Sequence, residues 1–383
     1  MTRTLVLLVV AAGARAGSSV DAYIGQVNHL VAVHRATVAR LAAPAQASAD
    51  ALAAGGRFYL NDTDNFAWFY EGIGRAGGLM QTDIFTADSA PRPGDVLWIS
   101  YTASTYRNAV SVSTRLAPQN VVVVAFGPRP PDEPLPFVNW VDSQAPWAAD
   151  DDLTLFGNVL SLWTMEGELA AATARQGKTL VFWQGILVPG GPNRNSHYAD
   201  QLFHDGFPQM QAIDVGILSA AYLDSVARLL GRITQTERTP TAAAARQLAE
   251  RSAAGNPPVL VVTSHLLPFI GLEKNPLFHY ISDPDDLDRA LAQSRFLIDI
   301  GYSGVDLELW RKVRLADAQA VWITGQLPNQ NDFSGHGDIF IDEHWQLGDA
   351  SVPVPGYDVR LLPVSGVAQL FIYELLVKAA MDQ

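Results

Sequence analysis

Cysteine is absent from the 383-residue sequence. A disulfide requires two cysteine side chains, a thiolate metal site requires cysteine sulfur, and a cysteine nucleophile requires a thiol. The sequence therefore excludes all three. The absence does not decide the cellular compartment, because many proteins in either redox environment contain no disulfide.

Basic residues are also few. The chain has 26 lysines and arginines against 39 aspartates and glutamates, which gives a formal net charge of -13. A nucleic acid or an anionic membrane surface requires clustered basic side chains, and the sequence has no such cluster. We therefore expect neither partner. Beyond the N-terminus, no segment reaches the roughly 18 uninterrupted apolar residues of a membrane span.

Residues 1–16 have the layout of a short secretory signal peptide. Arg3 precedes an apolar run at residues 5–12, and Ala14-Arg15-Ala16 offers a cleavage site with small residues at its ends. The alternatives are a buried N-terminal strand or helix and an incorrectly assigned start. If the leader is cleaved, we expect an exported or periplasmic protein, and otherwise a cytoplasmic one.

The length exceeds that of one average domain. A hydrophobic fraction of 48% and a charged fraction of 17% are typical of a globular protein. Residues 94–127 give the clearest structural pattern: an apolar run, the loop SYTAST, an amphipathic segment and a second apolar run. This predicts a strand, a loop, a helix and a strand in a parallel sheet. Ligands bind at such loops because backbone amides and the helix dipole converge there.

The same pattern returns at residues 295–325. Tyr101 and Thr102 of the first stretch align with Tyr302 and Ser303 of the second, and each copy continues into a strand that ends in aspartate. Self-similarity at a period near half the chain length predicts two copies of one α/β unit. We place the units at residues 17–188 and 213–383, joined by a connecting loop at 189–212.

Two segments resemble a known family. The sequence EGIGRAGGL at residues 71–79 resembles the Glu-x-x-x-Arg-Ala-Gly-Gly-Leu segment in one branch of SIS (sugar isomerase) proteins. The Gly-Asp-Ala and Pro-x-Ser segments within residues 341–369 are similar to the end of that domain. The resemblance implies two flavodoxin-like three-layer αβα units in tandem, each with a mostly parallel sheet. It also implies a phosphosugar or related sugar derivative as ligand. We expect no cofactor.

The chain departs from the family at the loop after the first strand. Where the family has Gly-Ser-Gly-x-Ser, residues 61–65 read NDTDN, and two carboxylates there would repel a phosphate. The second copy, with Thr263-Ser264-His265, is nearer the family pattern. A composite site or an altered ligand is therefore expected.

Four residues are candidates for acid–base chemistry. The resemblance implies a general base at Glu71, and Arg75, four residues further on, would contact an anion; the alternative is a surface or interdomain ion pair. His265 follows a strand end, and His344 with Glu343 lies in a loop beside an aromatic residue. Either histidine could instead be a structural residue bonded to the backbone.

The expected ligand contacts are mainly hydroxyl groups. Besides Arg75, they are Ser100, Thr102, Ser104, Thr105, Ser264, Tyr302, Ser303 and Ser365. His197, Asp200 and His204 have a spacing that a metal could use, but polar loop residues are more often solvated, and we expect no metal.

Three functions remain open at this stage. The first is an aldose–ketose isomerase that works through an enediolate, with Glu71 or Glu343 as base and His344 or His265 as acid. The second is a non-catalytic sensor or regulatory protein that binds a carbohydrate derivative. The third is a scaffold that uses the fold only for assembly. The expected partner is a small sugar derivative, and a homo-oligomer stays an open alternative.

Overall fold

The computed structural model describes residues 18–61, 66–131, 133–147, 152–263, 275–325, 336–346 and 348–383. The predicted leader lies outside these residues. Within them, no helix is long and apolar enough to cross a membrane.

The first unit begins with two helices and then builds a parallel sheet. Its elements are α1 (Ser19–Thr37), α2 (Ala42–Ala53), β1 (Phe58–Asn61), α3 (Phe66–Gly72), β2 (Asp83–Phe85), β3 (Val96–Ser100), α4 (Tyr106–Leu116), β4 (Val122–Gly127), β5 (Asn139–Asp142) and α5 (Asp152–Arg175). The sheet has the order β2-β1-β3-β4-β5, and all its strand pairs are parallel.

The predicted connecting loop contains a helix, α6 (Gly191–His197). Before it, Leu180 and Phe182 form isolated antiparallel bridges with Phe203 and Leu79. Residues 178–187 pair with other parts of the chain through these two bridges and form no regular strand. The segment thereby fastens the connection to the first unit.

The second unit repeats the plan of the first. Its elements are α7 (Ile217–Thr236), α8 (Arg238–Ala253), β6 (Val259–Thr263), β7 (His279–Tyr280), α9 (Leu287–Ser294), β8 (Phe296–Gly301), α10 (Leu307–Leu315), β9 (Gln319–Thr324), β10 (Ile339–Asp342), β11 (Ala350–Val352), β12 (Leu361–Pro363) and α11 (Ser365–Met381). The parallel sheet has the order β10-β9-β8-β6-β7, and β11 and β12 form a separate antiparallel pair.

The two sheets have the same topology. Numbered within each unit, both have the strand order 2-1-3-4-5, which is the flavodoxin-like order. The central strands β3 and β8 are buried along their whole length because helices cover both faces, and this is why each reads as a continuous apolar run. The predicted fold class, two flavodoxin-like α/β units, is confirmed.

Backbone detail recurs between the units as well. Gln144 and His344, each two residues beyond the last sheet strand of its unit, both have a φ of 58°. Their amides donate to the side chains of Asp142 and Asp342, at 2.9 and 2.6 Å. The aspartate that ends each strand thus holds the same left-handed turn in both units.

The helices of the two units pack into one shared layer. Helix α5 packs against α2 of its own unit and α7 of the other, while α11 packs against α8 and against α1. Helix α5 is buried along almost its entire length, and one apolar core contains residues of both units. The carboxyl end of the second sheet consequently faces groups from the first unit.

Candidate functional site

Arg75 is the centre of a buried network that joins the two units. Its guanidinium lies 3.1 Å from the carboxylate of Glu71 and 3.0 Å from that of Asp349, and it also donates to Ser365 Oγ. All four side chains are almost completely buried. Glu71 and Arg75 do not lie on one helix, because α3 ends at Gly72, and the turn that follows brings the two side chains together.

Asp349 is held from several directions. One of its carboxylate oxygens accepts hydrogen bonds from the backbone amides of Val364, at 3.0 Å, and Ser365, at 2.7 Å. The other accepts from Ser365 Oγ, at 2.8 Å, and from Arg75. These contacts hold the carboxylate at the start of α11 and give both of its oxygens hydrogen-bond partners.

Glu71 lies in a buried and tightly packed environment. The indole nitrogen of Trp163 donates to one carboxylate oxygen at 3.0 Å, and a Cβ built on Gly366 would lie 2.4 Å from the carboxylate. Burial raises the pKa of Glu71 to about 7, although the charge of Arg75 opposes the shift. This carboxyl group can therefore exchange a proton near neutral pH.

A second buried acid, Glu343, lies close to the same region. Its carboxylate accepts hydrogen bonds from Trp345 Nε1 at 2.5 Å and from Gln369 Nε2 at 3.1 Å. Its other oxygen, Oε1, has no partner among the described residues. Burial raises the pKa of Glu343 well above its usual value, against the lowering effect of the hydrogen bonds from Trp345 and Gln369. The Trp345 ring in turn stacks on Tyr302, with centroids 4.6 Å apart.

A cavity of about 470 Å³ lies at the carboxyl ends of β6 and β8, between the two units. We call it the inter-unit cavity. The second unit contributes Thr263, Tyr302 and Ser303, and the first contributes residues 74–76 and the segment 183–187, with Trp183 and Gln184. This is the sheet edge where open α/β folds bind ligands. Three of the predicted contacts, Arg75, Tyr302 and Ser303, line one cavity.

Sequence reasoning missed an acid beneath this cavity. Asp299 in the middle of β8 is 1% exposed, and Thr263 Oγ1 donates to its carboxylate at 3.1 Å. Burial raises the pKa of Asp299 to about 7, against the lowering effect of this hydrogen bond. A carboxylate inside an otherwise apolar central strand was the signal that could have revealed it, because buried acids are rare without a specific role.

His344 lies away from the inter-unit cavity. Its Nε2 lies 2.8 Å from a carboxylate oxygen of Glu237 and 2.7 Å from Thr236 Oγ1, while its Nδ1 lies 3.3 Å from Asp342. These contacts attach the loop after β10 to the end of α7. The structure thus places His344 and Glu343, adjacent in sequence, in different surroundings.

The predicted hydroxyl loop, SYTAST, follows β3 and lies at the carboxyl edge of the first unit's own sheet. Its hydroxyls largely bond to each other and to the loop backbone: Thr102 Oγ1 lies 2.8 Å from Ser104 Oγ, and the Thr102 amide donates to Thr105 Oγ1 at 2.9 Å. Ser100 is completely buried, and its amide donates to Asn61 Oδ1 at 2.9 Å. None of these groups lines the inter-unit cavity.

Two predicted residues, Ser264 and His265, lie outside the described residues, directly after Thr263. Ser365 belongs to the buried network and Glu343 to the neighbouring one, and neither lines the inter-unit cavity. Among the residues that the structure describes, no group of three or more potential metal ligands occurs.

No family model matches the sequence, and no curated protein matches it. Solved structures do resemble it in three dimensions. The C-terminal domain of glucosamine-fructose-6-phosphate aminotransferase from Francisella tularensis matches with a TM-score of 0.54 and 8% identity, over 95% of this chain and 94% of that one. The two proteins share a fold. At such low identity the likeness extends no further.

Two other structures are less similar in shape. A proposed phosphosugar isomerase from Silicibacter pomeroyi matches with a TM-score of 0.49 and 10% identity, over 95% of this chain and 98% of that one. A proposed sugar-binding protein from Salmonella typhimurium has a TM-score of 0.49 and 13% identity, over 94% of this chain and 98% of that one.

Proposed function

We propose that the protein binds a sugar phosphate or a related sugar derivative in the inter-unit cavity. The observation that carries this proposal is the lining of the cavity by Thr263, Ser303 and Tyr302 from the second unit and by Trp183 and Gln184 from the first. Hydroxyl and amide groups match the hydroxyls of a sugar, and an indole offers an apolar face to its ring. The volume falls in the range of roughly 300–1,000 Å³ that is typical of small-molecule sites.

Two further points support a ligand of this class. The cavity lies at the sheet edge that binds ligands in open α/β folds, and the chain shares its fold with a domain of an aminotransferase whose name includes fructose 6-phosphate. Arg75 is the cation that lines the cavity among the described residues, and its charge is already shared by two carboxylates. We therefore expect recognition of the sugar to depend mainly on neutral hydrogen bonds.

The binding experiment uses a matched pair of variants. Fructose 6-phosphate, glucosamine 6-phosphate and unphosphorylated N-acetylglucosamine are titrated into the full chain by calorimetry. Ser303→Ala removes a hydroxyl that lines the cavity, and Thr102→Ala removes its aligned counterpart in the first unit. For at least one of these sugars we expect Ser303→Ala to weaken binding about tenfold, the effect of one lost hydrogen bond to a ligand, and Thr102→Ala to leave it unchanged.

The proposal is wrong if none of the three sugars binds, or if Thr102→Ala weakens binding and Ser303→Ala does not. In the latter case the ligand belongs to the hydroxyl loop of the first unit. If both variants lose binding equally, the two sheet edges act together and the cavity is not the site by itself.

We infer aldose–ketose isomerisation as a second candidate function, because buried acids with a pKa near 7 lie next to the cavity. In this reaction a base removes the proton from the hydroxyl-bearing carbon beside the carbonyl, a proton moves from that hydroxyl to the former carbonyl oxygen of the enediolate, and the protonated base returns its proton to the former carbonyl carbon. Asp299 is connected to the cavity by Thr263, and Glu71 lies behind Arg75. A base works best when its pKa lies near the working pH.

Exchange of the sugar proton distinguishes the enzyme from a sensor. An isomerase should transfer deuterium from heavy water into a bound sugar phosphate, and Asp299→Asn should reduce this exchange at least about a hundredfold while binding persists. Glu71→Gln tests the alternative base in the same assay. A protein that binds the sugar without any exchange is a sensor or regulatory protein.

A further inference from the structure

A second cavity, of about 230 Å³, lies in the second unit beside Trp345 and Asp349. Three arginines line it: Arg228 and Arg232 from α7 and Arg360 from the segment before β12. We call it the arginine pocket. Arg228 and Arg232 lie four residues apart on a helix, so their side chains share one face. The pocket therefore gathers three positive charges in a protein whose net charge is -13.

Among the residues that the structure describes, the pocket arginines bond to neutral groups. Arg228 donates to Ser225 Oγ at 3.1 Å and Arg360 to the backbone oxygen of Ser351 at 3.3 Å, which are both neutral acceptors. Within the described ranges, none of the three forms an ion pair with a carboxylate, whereas Arg194 does, with Asp358. Three positive side chains that line one cavity attract negative charge to it.

One carboxylate, that of Asp349, does line the arginine pocket, but its negative charge is engaged by groups other than the three arginines. Asp349 is 3% exposed and is engaged by Arg75, by Ser365 Oγ and by two backbone amides. It therefore does not neutralise the arginines. Ser225 and Ser351 also line the pocket, but their hydroxyls donate to the backbone oxygens of Ala221 and Leu362, at 3.0 and 3.1 Å, so the attraction for an oxyanion comes from the arginines.

The arginine pocket is separate from the inter-unit cavity. Arg75 lines the inter-unit cavity and Asp349 the arginine pocket, and the two are ion-paired at 3.0 Å. In the same way, Tyr302 lines the inter-unit cavity and Trp345 lines the arginine pocket, and their rings stack on each other. The two cavities thus share a wall of paired side chains, and a ligand in one does not contact the lining of the other.

We propose that the arginine pocket binds a small oxyanion with more than one negative charge, such as a phosphate or pyrophosphate group. Guanidinium groups bind such groups through paired N–H donors, which a single lysine cannot supply. The size of the pocket suits one or two phosphate groups and is smaller than the inter-unit cavity. This site does not depend on the sugar-binding proposal, because it shares no lining residue with that cavity.

The test is a calorimetric titration of the full chain with inorganic pyrophosphate and, separately, with inorganic phosphate. The double variant Arg232→Gln/Arg360→Gln should weaken pyrophosphate binding about a hundredfold, as expected for the loss of two charge-assisted contacts. The matched control is Arg246→Gln on α8, an exposed arginine outside the pocket, and it should leave binding unchanged. Thermal unfolding of each variant without anion verifies that the fold is retained.

Three outcomes contradict the inference. The first is the absence of pyrophosphate binding by the unchanged protein at millimolar concentration. The second is an equal loss in the double variant and in Arg246→Gln, which indicates attraction to general surface charge. The third is a loss of pyrophosphate binding in Ser303→Ala but not in the arginine variant, which places the anion in the inter-unit cavity. Only this last result would at the same time support the sugar-binding proposal.

Discussion

The two units share a topology but differ in the chemistry at the carboxyl edges of their sheets. In the first unit, the hydroxyls after β3 bond mainly to one another and to their own loop. In the second unit, the end of β6 and the residues after β8 line a cavity together with Arg75 from the other unit. The two sheets therefore have the same topology, but the polar groups at the first edge mostly bond to each other, whereas those at the second edge line a cavity. The topology fixes where a ligand can bind, and the edge residues determine whether the position is used.

The same contrast appears inside the central strands. Trp98 in β3 pairs with Leu60 and Val124, and Asp299 occupies the matching position in β8, where it pairs with Val261 and Trp322. The first unit fills this position with an apolar ring, and the second fills it with an acid whose pKa is about 7. An ionisable group in a packed core reduces stability, so its presence favours a chemical role over a structural one.

The largest expected effect comes from removing the charge that bridges the units. Arg75→Met leaves Glu71 and Asp349 buried without their cation, and we expect the free energy of unfolding to fall by about 3–5 kcal/mol. Urea unfolding followed by circular dichroism measures this change.

The matched control for that variant is an ion pair within the first unit. Arg57 pairs with Asp95 at 3.2 Å, but its side chain is 42% exposed. Arg57→Met should therefore cost about 1 kcal/mol or less. Equal losses for the two variants would mean that the bridge between the units contributes no more than a surface pair.

The next largest effect is expected where residues 75–78 of the first unit contact the antiparallel pair β11 and β12 of the second. A Cβ on Gly77 would lie 2.4 Å from the Cβ of Ala350 and 2.9 Å from the amide of Leu362, whereas a Cβ on Gly74 meets nothing within 4 Å. Both glycines have positive φ, at 80° and 68°. Alanine at either position should therefore cost a similar amount of free energy through its backbone conformation. Only Gly77→Ala should lower the free energy of unfolding by about a further 1–3 kcal/mol, because its methyl group overlaps neighbouring atoms.

Thermal unfolding of both alanine variants measures the difference directly. If Gly74→Ala destabilises the protein as much as Gly77→Ala, the backbone conformation explains the requirement for glycine, and the approach of the second unit does not.

The third prediction concerns the pH dependence of stability that Asp299 causes, an acid without a counterpart in β3 of the first unit. In the unfolded chain Asp299 releases its proton near its ordinary pKa of 3.8, while in the folded protein it does so near 7. Between these values the folded state binds an additional proton, so stability should decrease as the pH rises from about 4 to 7 and then level off. Asp299→Asn should flatten this slope, and thermal midpoints measured from pH 4.5 to 8 test the expectation.

Glu71 shifts in the same direction, to about 7, so some slope should remain in the Asp299→Asn variant. An unchanged slope would show that Asp299 is ionised in the folded protein over this range. In that case it would not be a candidate for proton exchange near neutral pH.

The smallest effect is expected for a buried hydroxyl of the first unit. Ser100 Oγ has no hydrogen-bond partner among the described residues, so Ser100→Ala should change stability by no more than about 1 kcal/mol, and in the stabilising direction. Ser365 is equally buried but bonds to Asp349 and Arg75, and Ser365→Ala should cost about 1–3 kcal/mol. Denaturant midpoints compare the two, and a clear loss for Ser100→Ala would indicate a bound water or ligand at that edge.

Much of the fold could be predicted from sequence because the central strands are continuous apolar runs and the helices between them are amphipathic. The edge strands β2 and β7 were missed, since three and two residues are too few for a periodic pattern. Pro44 and Pro240 each lie in the first turn of a helix, α2 or α8, where the missing amide hydrogen is tolerated.

The site was harder to predict. The segment EGIGRAGGL identified Glu71 and Arg75, but their partner Asp349 lies 274 residues from Arg75 in the chain, and no local pattern reports such a distance. His344 and Glu343 could not be separated by sequence either, because the left-handed turn at His344 directs neighbouring side chains into different surroundings. The internal duplication stays a prediction, which the matching strand order and turns support.

The Arg75–Asp349 pair also bears on whether the units can exist apart. A fragment that ended between them would leave an arginine and a glutamate exposed on one piece and an aspartate on the other, together with the apolar faces of α5 and α11. Neither fragment would have a complete core. We therefore expect the intact chain to melt in a single calorimetric transition, as one cooperative body that was built from two similar parts.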